Sequence, residues 1–301
     1  MFINNETLKL AYQIESSEDG LKVIDVLASS MNISSRLIRK CKNHKQIYLN
    51  GTWGSVNRLV HEGDVISLVL DHDENTFEPN AIPVDIIYED GDMMAVNKQP
   101  FLVVHPTKGH PVGTLANALS NYQKTRCENY KIRFINRLDR DTSGVVLIAK
   151  NAFAQQVISE QMKLNLVKKT YFAVVDGVVT QDAGTIDLPI DRANEGDIKR
   201  TVLSSGLESI THFQVIERYS KHTLVKINLE TGRTHQIRVH FAHIGHPVHG
   251  DSLYGTTSVY IDRQALHCAE MIFSAPRTKN EICASAELPA DLLKLIHMLT
   301  H

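Results

Sequence analysis

Phe134-Ile135-Asn136-Arg137-Leu138-Asp139-Arg140-Asp141-Thr142-Ser143-Gly144 crowds polar side chains immediately before the short apolar run at residues 144–149. A run this short and this apolar reads as a buried strand. In extended geometry side chains alternate between faces, so Arg137, Asp139 and Asp141 are expected on one side. A carboxylate beside a guanidinium is held charged and oriented, which suits a nucleophile or a general base. Thr142, Ser143 and Gly144 suit a tight turn that would hold that carboxylate rigidly. An ordinary loop salt bridge has the same pattern, so the stretch alone leaves both readings open.

Two later segments carry similar side chains. Thr231-Gly232-Arg233-Thr234-His235-Gln236-Ile237-Arg238-Val239-His240 follows a strand pattern and opens a helix. Arg233, Thr234, His235 and Gln236 then place donors at a helix N-terminus, where anions are favoured. Arg238 falls about one turn beyond Thr234. If that end faces Asp139, Arg238 can pair with its carboxylate while the earlier residues meet phosphate or sugar. A capped helix with a solvated basic face would look the same. Lys168-Lys169-Thr170-Tyr171-Phe172-Ala173-Val174 starts a strand with two cations and a tyrosine. Such a ring can stack on a base with its hydroxyl hydrogen-bonded, or simply fill a core.

Outward from these segments, residues 84–301 read as an α+β unit with a large mixed, mostly antiparallel sheet flanked by helices. Val84 to Val96 alternates around Glu89-Asp90-Gly91-Asp92 as a hairpin does. Thr114 and Asn151 are expected to cap helices bearing Leu115, Ala118, Leu119 and Tyr122, and Phe153, Val157 and Ile158. Strands are expected at 171–176, 209–217 and 222–229, and a last helix from Pro289 with Leu292, Leu295, Ile296 and Leu299 on one face. The polar, acidic stretch 71–83, with two prolines, reads as a linker.

Before the linker, residues 8–70 form a small αβ unit. Val23, Val26 and Leu27 mark one helix; Ser34 or Ser35 caps a second, with Leu37, Ile38 and Cys41 on one side. Its other side carries Arg36, Arg39, Lys40 and Lys42, followed by Lys45. At about 1.5 Å rise per residue these cations make a compact patch suited to a row of phosphates, or a solvated helix face. Asn50-Gly51 after Ile47-Tyr48-Leu49 signals a two-residue hairpin, and Val65 to Leu70 a closing strand.

Two helices, a hairpin and a closing strand resemble the S4 RNA-binding domain, with Lys22-Val23 for its Arg-Leu pair and Ile24 for the acidic residue that follows. The three segments together resemble the RluA-type family of pseudouridine synthases. Asn136 to Gly144 matches HRLDxxTSG with Asn136 replacing the usual His, Thr231 to His240 matches TGRTHQIRVH, and Lys169-Thr170-Tyr171 matches K-x-Y. Gly245-His246-Pro247-Val248-His249-Gly250-Asp251-Ser252-Leu253-Tyr254-Gly255 matches GxPxxGDxxYG. Glu89-Asp90 through Asn97-Lys98, Val103-Val104-His105-Pro106 and Arg263-Gln264-Ala265-Leu266-His267 are similar too, so the resemblance spans residues 84–280 in the family's order.

The resemblance implies the pseudouridine synthase catalytic fold, with Asp139 as catalytic carboxylate and Tyr171 packed against the target uracil. It implies that Arg238 holds Asp139 ionised and that Arg137 helps to flip the uridine out. Asn136 lies outside these roles and bears on local RNA contacts. Lys168, Lys169, Arg233, His235 and the cations between 36 and 45 are candidates for contact with the RNA backbone. The implied reaction gains and loses no atom, so no cofactor is expected. The S4-plus-catalytic layout points to large-subunit ribosomal RNA, with tRNA as the alternative and an inactive S4-like RNA-binding protein as a distant one.

Composition limits the rivals. A hydrophobic fraction of 43% and a charged fraction of 22% are those of an ordinary globular protein. The net charge of −2 shows no overall basic excess, so RNA would have to meet local clusters. Cys41, Cys127, Cys268 and Cys283 form no CxxC pair, which argues for a reducing cytoplasm. No apolar run approaches the ~20 residues of a membrane span, and Asn4, Asn5 and Glu6 stand where a signal peptide needs basic and then apolar residues. His240, His243, His246 and His249 recur every three residues, but Gly245 and Pro247 break the helix between them, and no metal is expected. Asp139 and Asp141 as paired glycosidase carboxylates, about 7 Å apart on one strand face, fit poorly with a single Trp. A monomer without an obligate protein partner is expected.

Overall fold

The computed structural model describes residues 8–70, 73–107 and 109–300. The chain start read for a signal peptide, and Asp71 and His72 of the linker, lie outside them. Strand β1 (Leu8–Gln13), helices α1 (Val23–Ala28) and α2 (Ser35–Asn43), and strands β2 (Ile47–Leu49), β3 (Thr52–Trp53) and β4 (Val65–Leu70) come first. The strands form an antiparallel sheet in the order β1-β4-β2-β3. Asn50 and Gly51 join β2 to β3 with φ of 51° and 77°, the two left-handed residues that a type I′ turn needs. Ser34 caps α2 by accepting from the Leu37 N–H at 3.3 Å. Leu37, Ile38 and Cys41 are buried against Val23, Val26, Leu27, Ile66 and Leu68, as the pattern of α2 predicts. Phe153 and Val157 belong to the same apolar cluster, which seats this sheet on a helix far along the chain.

That helix, α4 (Ala152–Lys163), belongs to the larger unit. Its other elements are β5 (Asp85–Glu89), β6 (Met93–Lys98), α3 (Leu115–Thr125), β7 (Arg133–Phe134), β8 (Ser143–Ala149), β9 (Lys168–Asp176) and β10 (Ala183–Asp187). There follow β11 (Ile190–Arg192), β12 (Arg200–Val202), β13 (Ile210–Arg218), β14 (His222–Leu229), α5 (Gln236–His243), β15 (Leu266–Ser274), β16 (Glu281–Ser285) and α6 (Ala290–Thr300). Ten of these strands make one sheet in the order β10-β13-β14-β9-β15-β8-β6-β5, with β16 paired to β15 and β7 to β8. Among the described strands only the β15–β8 pairing is parallel. Thr114 and Asn151 cap α3 and α4, and Leu292 and Leu295 bury the inner face of α6. No helix among the described residues is long and apolar enough to cross a membrane.

The centre of the sheet decides where the polar segments meet. Every residue of β8 is buried. Strand β15 runs between β8 and β9, so Cys268 lies opposite Gly144 on one side and Tyr171 on the other. Gly144 has φ of +114°, and a Cβ there would lie 2.0 Å from the Cys268 carbonyl oxygen. Only glycine allows that approach. Gly144→Ala combines a disfavoured backbone with a clash and is expected to cost about 3 kcal/mol or more. Urea denaturation checks this; an unchanged midpoint would show that the close approach is relieved without cost.

Candidate active site

Asp139 stands at the start of a turn rather than on a strand. The Thr142 N–H donates to the Asp139 carbonyl at 3.1 Å. This corrects the extended reading: the turn carries Asp141 away from Asp139 and onto Arg140, at 2.7 and 3.1 Å. The supposed pair of facing carboxylates is not formed.

Buried groups hold the turn by its backbone. Lys98, 1% exposed, donates to the carbonyls of Gln99, Leu102 and Arg140 at 3.0, 2.9 and 3.0 Å. Burial pulls its ammonium down to about 7, opposed by Asp141 and Asp139. Arg263 donates to the Asp141 carbonyl at 3.1 Å while its other nitrogens grip Asp291 at 2.7 and 2.9 Å. Gln264 donates to the Thr142 hydroxyl at 3.1 Å. Just before the turn, the Asn136 amide accepts from the Leu147 N–H at 2.8 Å and donates to the Val145 carbonyl at 3.2 Å. It thereby serves as a side-chain extension of the sheet beside β8.

Arg238, in the first turn of α5, is shared between two carboxylates. Its Nη1 donates to Asp139 at 2.8 Å, while Nε and Nη2 hold Asp251 at 2.6 and 2.8 Å. Asp251 is fully buried and also accepts from the N–H groups of Leu253 and Tyr254. Burial opposes its charge, but the bonds from Arg238 and the backbone outweigh it and hold the carboxyl below its ordinary range. The helix enters through His235, a non-glycine residue at φ 60°, ψ 16°. Strain of that kind persists where surrounding contacts fix it. Here His235 Nδ1 meets the Tyr254 hydroxyl at 2.8 Å, and Nε2 lies 3.8 Å from Asp139. Burial lowers the proton affinity of this imidazole despite the opposing charge of Asp139.

These groups line a small open pocket with Arg137, Arg233 and the ring of Tyr171, closed by Leu138, Leu229, Ile237 and Leu266. Asp139 is the single carboxylate among the residues lining it. Burial first, and then Cys268, push the Tyr171 hydroxyl well above its ordinary value. Gln236, also at the wall, engages Arg233, Thr231, Ile210 and Thr211, so its amide anchors the helix.

The structure thus gathers Arg137, Asp139, Tyr171, Arg233, His235 and Arg238. It separates the other expected residues. Arg36, Arg39, Lys42 and Lys45 are exposed on the N-terminal unit, whereas Lys40 pairs with Asp73 at 2.7 Å and Asp73 also binds Arg133. Lys168 is exposed. Lys169 is buried and donates to the Glu230 carbonyl at 3.1 Å. Both line a second cavity of about 450 Å³. Sequence reasoning assigned no role to Asp251, Tyr254, Lys98 or Arg263. The Gly-Asp-x-x-Tyr-Gly stretch was the available signal for the first two.

The RNA pseudouridylate synthase family profile matches residues 92–243. Over 277 residues the chain is 39% identical to an uncharacterized RNA pseudouridine synthase, YjbO, of Bacillus subtilis, covering 91% of this chain and 98% of that protein. The chain belongs to the RluA-type pseudouridine synthase family. It is also 36% identical over 273 residues to the ribosomal large subunit pseudouridine synthase D of Escherichia coli K12, covering 86% of this chain and 80% of that one. Human RNA pseudouridylate synthase domain containing 1 superposes with a TM-score of 0.56 at 26% identity, over 75% of this chain and 98% of that structure. Human RNA pseudouridylate synthase domain containing 4 shares the fold, with a TM-score of 0.59 at 23% identity, over 72% and 93%. The protein is an RNA pseudouridine synthase, an isomerase acting on RNA.

In this synthase the anchor for Arg238 is Asp251. Asp251→Asn removes one partner of a buried ion pair and is expected to cost about 3 kcal/mol. It should also lower single-turnover pseudouridine formation more than ~10-fold, as expected for loss of a positioning contact. A stability and a rate equal to those of the unaltered protein would show that Arg238 holds its place without Asp251.

Proposed function

We propose that the pocket isomerises a uridine flipped out of large-subunit ribosomal RNA, with Asp139 as the catalytic carboxylate. The observation that carries this reading is the Asp139 carboxylate fixed by Arg238 at 2.8 Å, in a pocket with no other acid among the described residues that line it. The reaction breaks the N1–C1′ bond, turns the uracil and makes a C5–C1′ bond. The C5 proton leaves and a proton is placed on N1, so atoms balance without a co-reactant. A carboxylate can serve that sequence as nucleophile or as proton acceptor. Tyr171 offers a neutral aromatic face to the detached base, and the apolar wall of Leu138, Leu229, Ile237 and Leu266 limits water. Arg137 and Arg233, both exposed at the rim, are placed to meet the phosphates of a displaced nucleotide. Flipping costs a few kcal/mol, least where the base is already unpaired.

The choice of ribosomal RNA rests on the likeness to the ribosomal large subunit synthase and on the N-terminal unit at residues 8–70, read as S4-like. Its cations Arg36, Arg39, Lys42 and Lys45 would contact the RNA backbone, while Lys40, tied to Asp73, would brace the linker. The chain would act in the cytoplasm as a monomer on two RNA-facing units.

Asp139→Ala is expected to fold, to bind RNA and to lose at least ~10³-fold in product formation, measured by tritium release from C5-labelled uridine in ribosomal RNA fragments. Residual activity near that of the parent would remove Asp139 from the chemistry. Reversing Arg36, Arg39 and Lys42 to Glu should weaken RNA binding and flatten its salt dependence by about one log–log unit per lost phosphate contact. A salt slope that does not move would take this helix out of the interface.

A further inference from the structure

The C-terminal end of β9 gathers a second group of side chains away from the pocket. His222 faces Asp176 directly in the β14–β9 ladder. On the other flank of β9, Val248 bridges Val175, the Asp176 N–H donates to the Pro247 carbonyl at 2.9 Å and the His249 N–H donates to the Val174 carbonyl at 2.8 Å. Backbone pairing therefore places Asp176, His222 and His249 together on three adjacent segments. Asp176 Oδ1 lies 2.7 Å from His249 Nδ1 and 3.6 Å from His222 Nε2. One ligand atom from each residue falls within 4.8 Å of the others. Metal–ligand bonds of about 2.0–2.2 Å in a tetrahedron put such atoms roughly 3.3–3.6 Å apart, so small side-chain movements suffice.

We propose that Asp176, His222 and His249 bind a zinc ion, with a fourth position open to water. Two imidazoles and one carboxylate favour zinc over magnesium or calcium, which take oxygen donors. His249 Nε2 lies 2.7 Å from the Ser258 hydroxyl, the outer hydrogen bond that orients a metal-bound imidazole. Of the four histidines spaced by three, only His249 takes part. His240 engages Thr211 and the Leu188 carbonyl through its two ring nitrogens, and His246 meets the Asp176 carbonyl. His222 comes from a strand that the spacing did not include. An ion here ties β9 and β14 to the loop that holds Asp251, two residues beyond His249.

The test titrates EDTA-stripped full-length protein with zinc chloride by calorimetry, and with cobalt chloride by visible absorption. Unaltered protein is compared with His222→Ala and Asp176→Asn. One equivalent of zinc should bind and raise the Tm, and cobalt should give the intense visible bands of low coordination number. Either substitution should weaken zinc at least ~10-fold, as expected for loss of a ligand or its support, with circular dichroism and pseudouridine formation retained. If Asp176→Asn does not fold, His222→Ala carries the comparison. Absence of saturable binding overturns the proposal and leaves a hydrogen-bonded brace. Equal affinity in all the proteins overturns it as well, because zinc then sits on other histidines.

Discussion

The guanidinium of Arg238 lies between Asp139 and Asp251, and the rest of the site is arranged around that shared contact. Three charges sit close together with little water, which costs desolvation unless every donor and acceptor has a partner. Asp251 meets this condition most fully: it takes two bonds from Arg238 and two from backbone N–H groups. The bidentate grip on Asp251 fixes the plane of the guanidinium, so the remaining nitrogen points at Asp139 with little freedom. A lysine in this place could neutralise charge but could not hold both carboxylates in one plane. Removal of Asp251 acts on Asp139 through this geometry, although the two carboxylates come from distant parts of the chain.

The sheet supplies the convergence. A parallel pairing of β8 with β15, and an antiparallel pairing of β15 with β9, put Gly144, Cys268 and Tyr171 in one row across three strands. The turn bearing Asp139 begins just outside that row, and two buried basic side chains, Lys98 and Arg263, grip its carbonyls. The Lys98 donors and the Arg263 Nη1 are used on main-chain oxygens, which would otherwise be left unsatisfied in the interior.

Much of this was legible where a local rule applied. Thr114, Asn151 and Ser34 announce their helices because an N-cap acts on the residues next to it. Asn50-Gly51 announces its turn for the same reason. The groups lining the pocket were legible through ordered motifs, not through charge. Strand β15 is not legible as a strand: its first three residues, Leu266 to Cys268, are all buried, and its sequence LHCAEMIFS shows neither alternation nor β-branched enrichment beyond Ile272. The same-side reading of Arg137, Asp139 and Asp141 failed because a hydrogen-bonded turn replaced the extended chain. Asn136 could be understood only in the fold, where its amide takes the place of a strand's own peptide groups.

The placement of the arginines separates those built into the interior from those left at the rim of the pocket. Arg238 and Arg263 are buried, and each bridges an acid to a second acceptor. Arg137 is exposed at the pocket and has no side-chain partner among the described residues. A guanidinium is charged at any working pH, so burial or exposure, not protonation, decides its task. Inside, the fork fixes a carboxylate; at the rim, the same fork stays exposed to solvent and free of an internal acid. The near-neutral net charge therefore says little about RNA affinity, because it adds internally paired arginines to those that face the solvent.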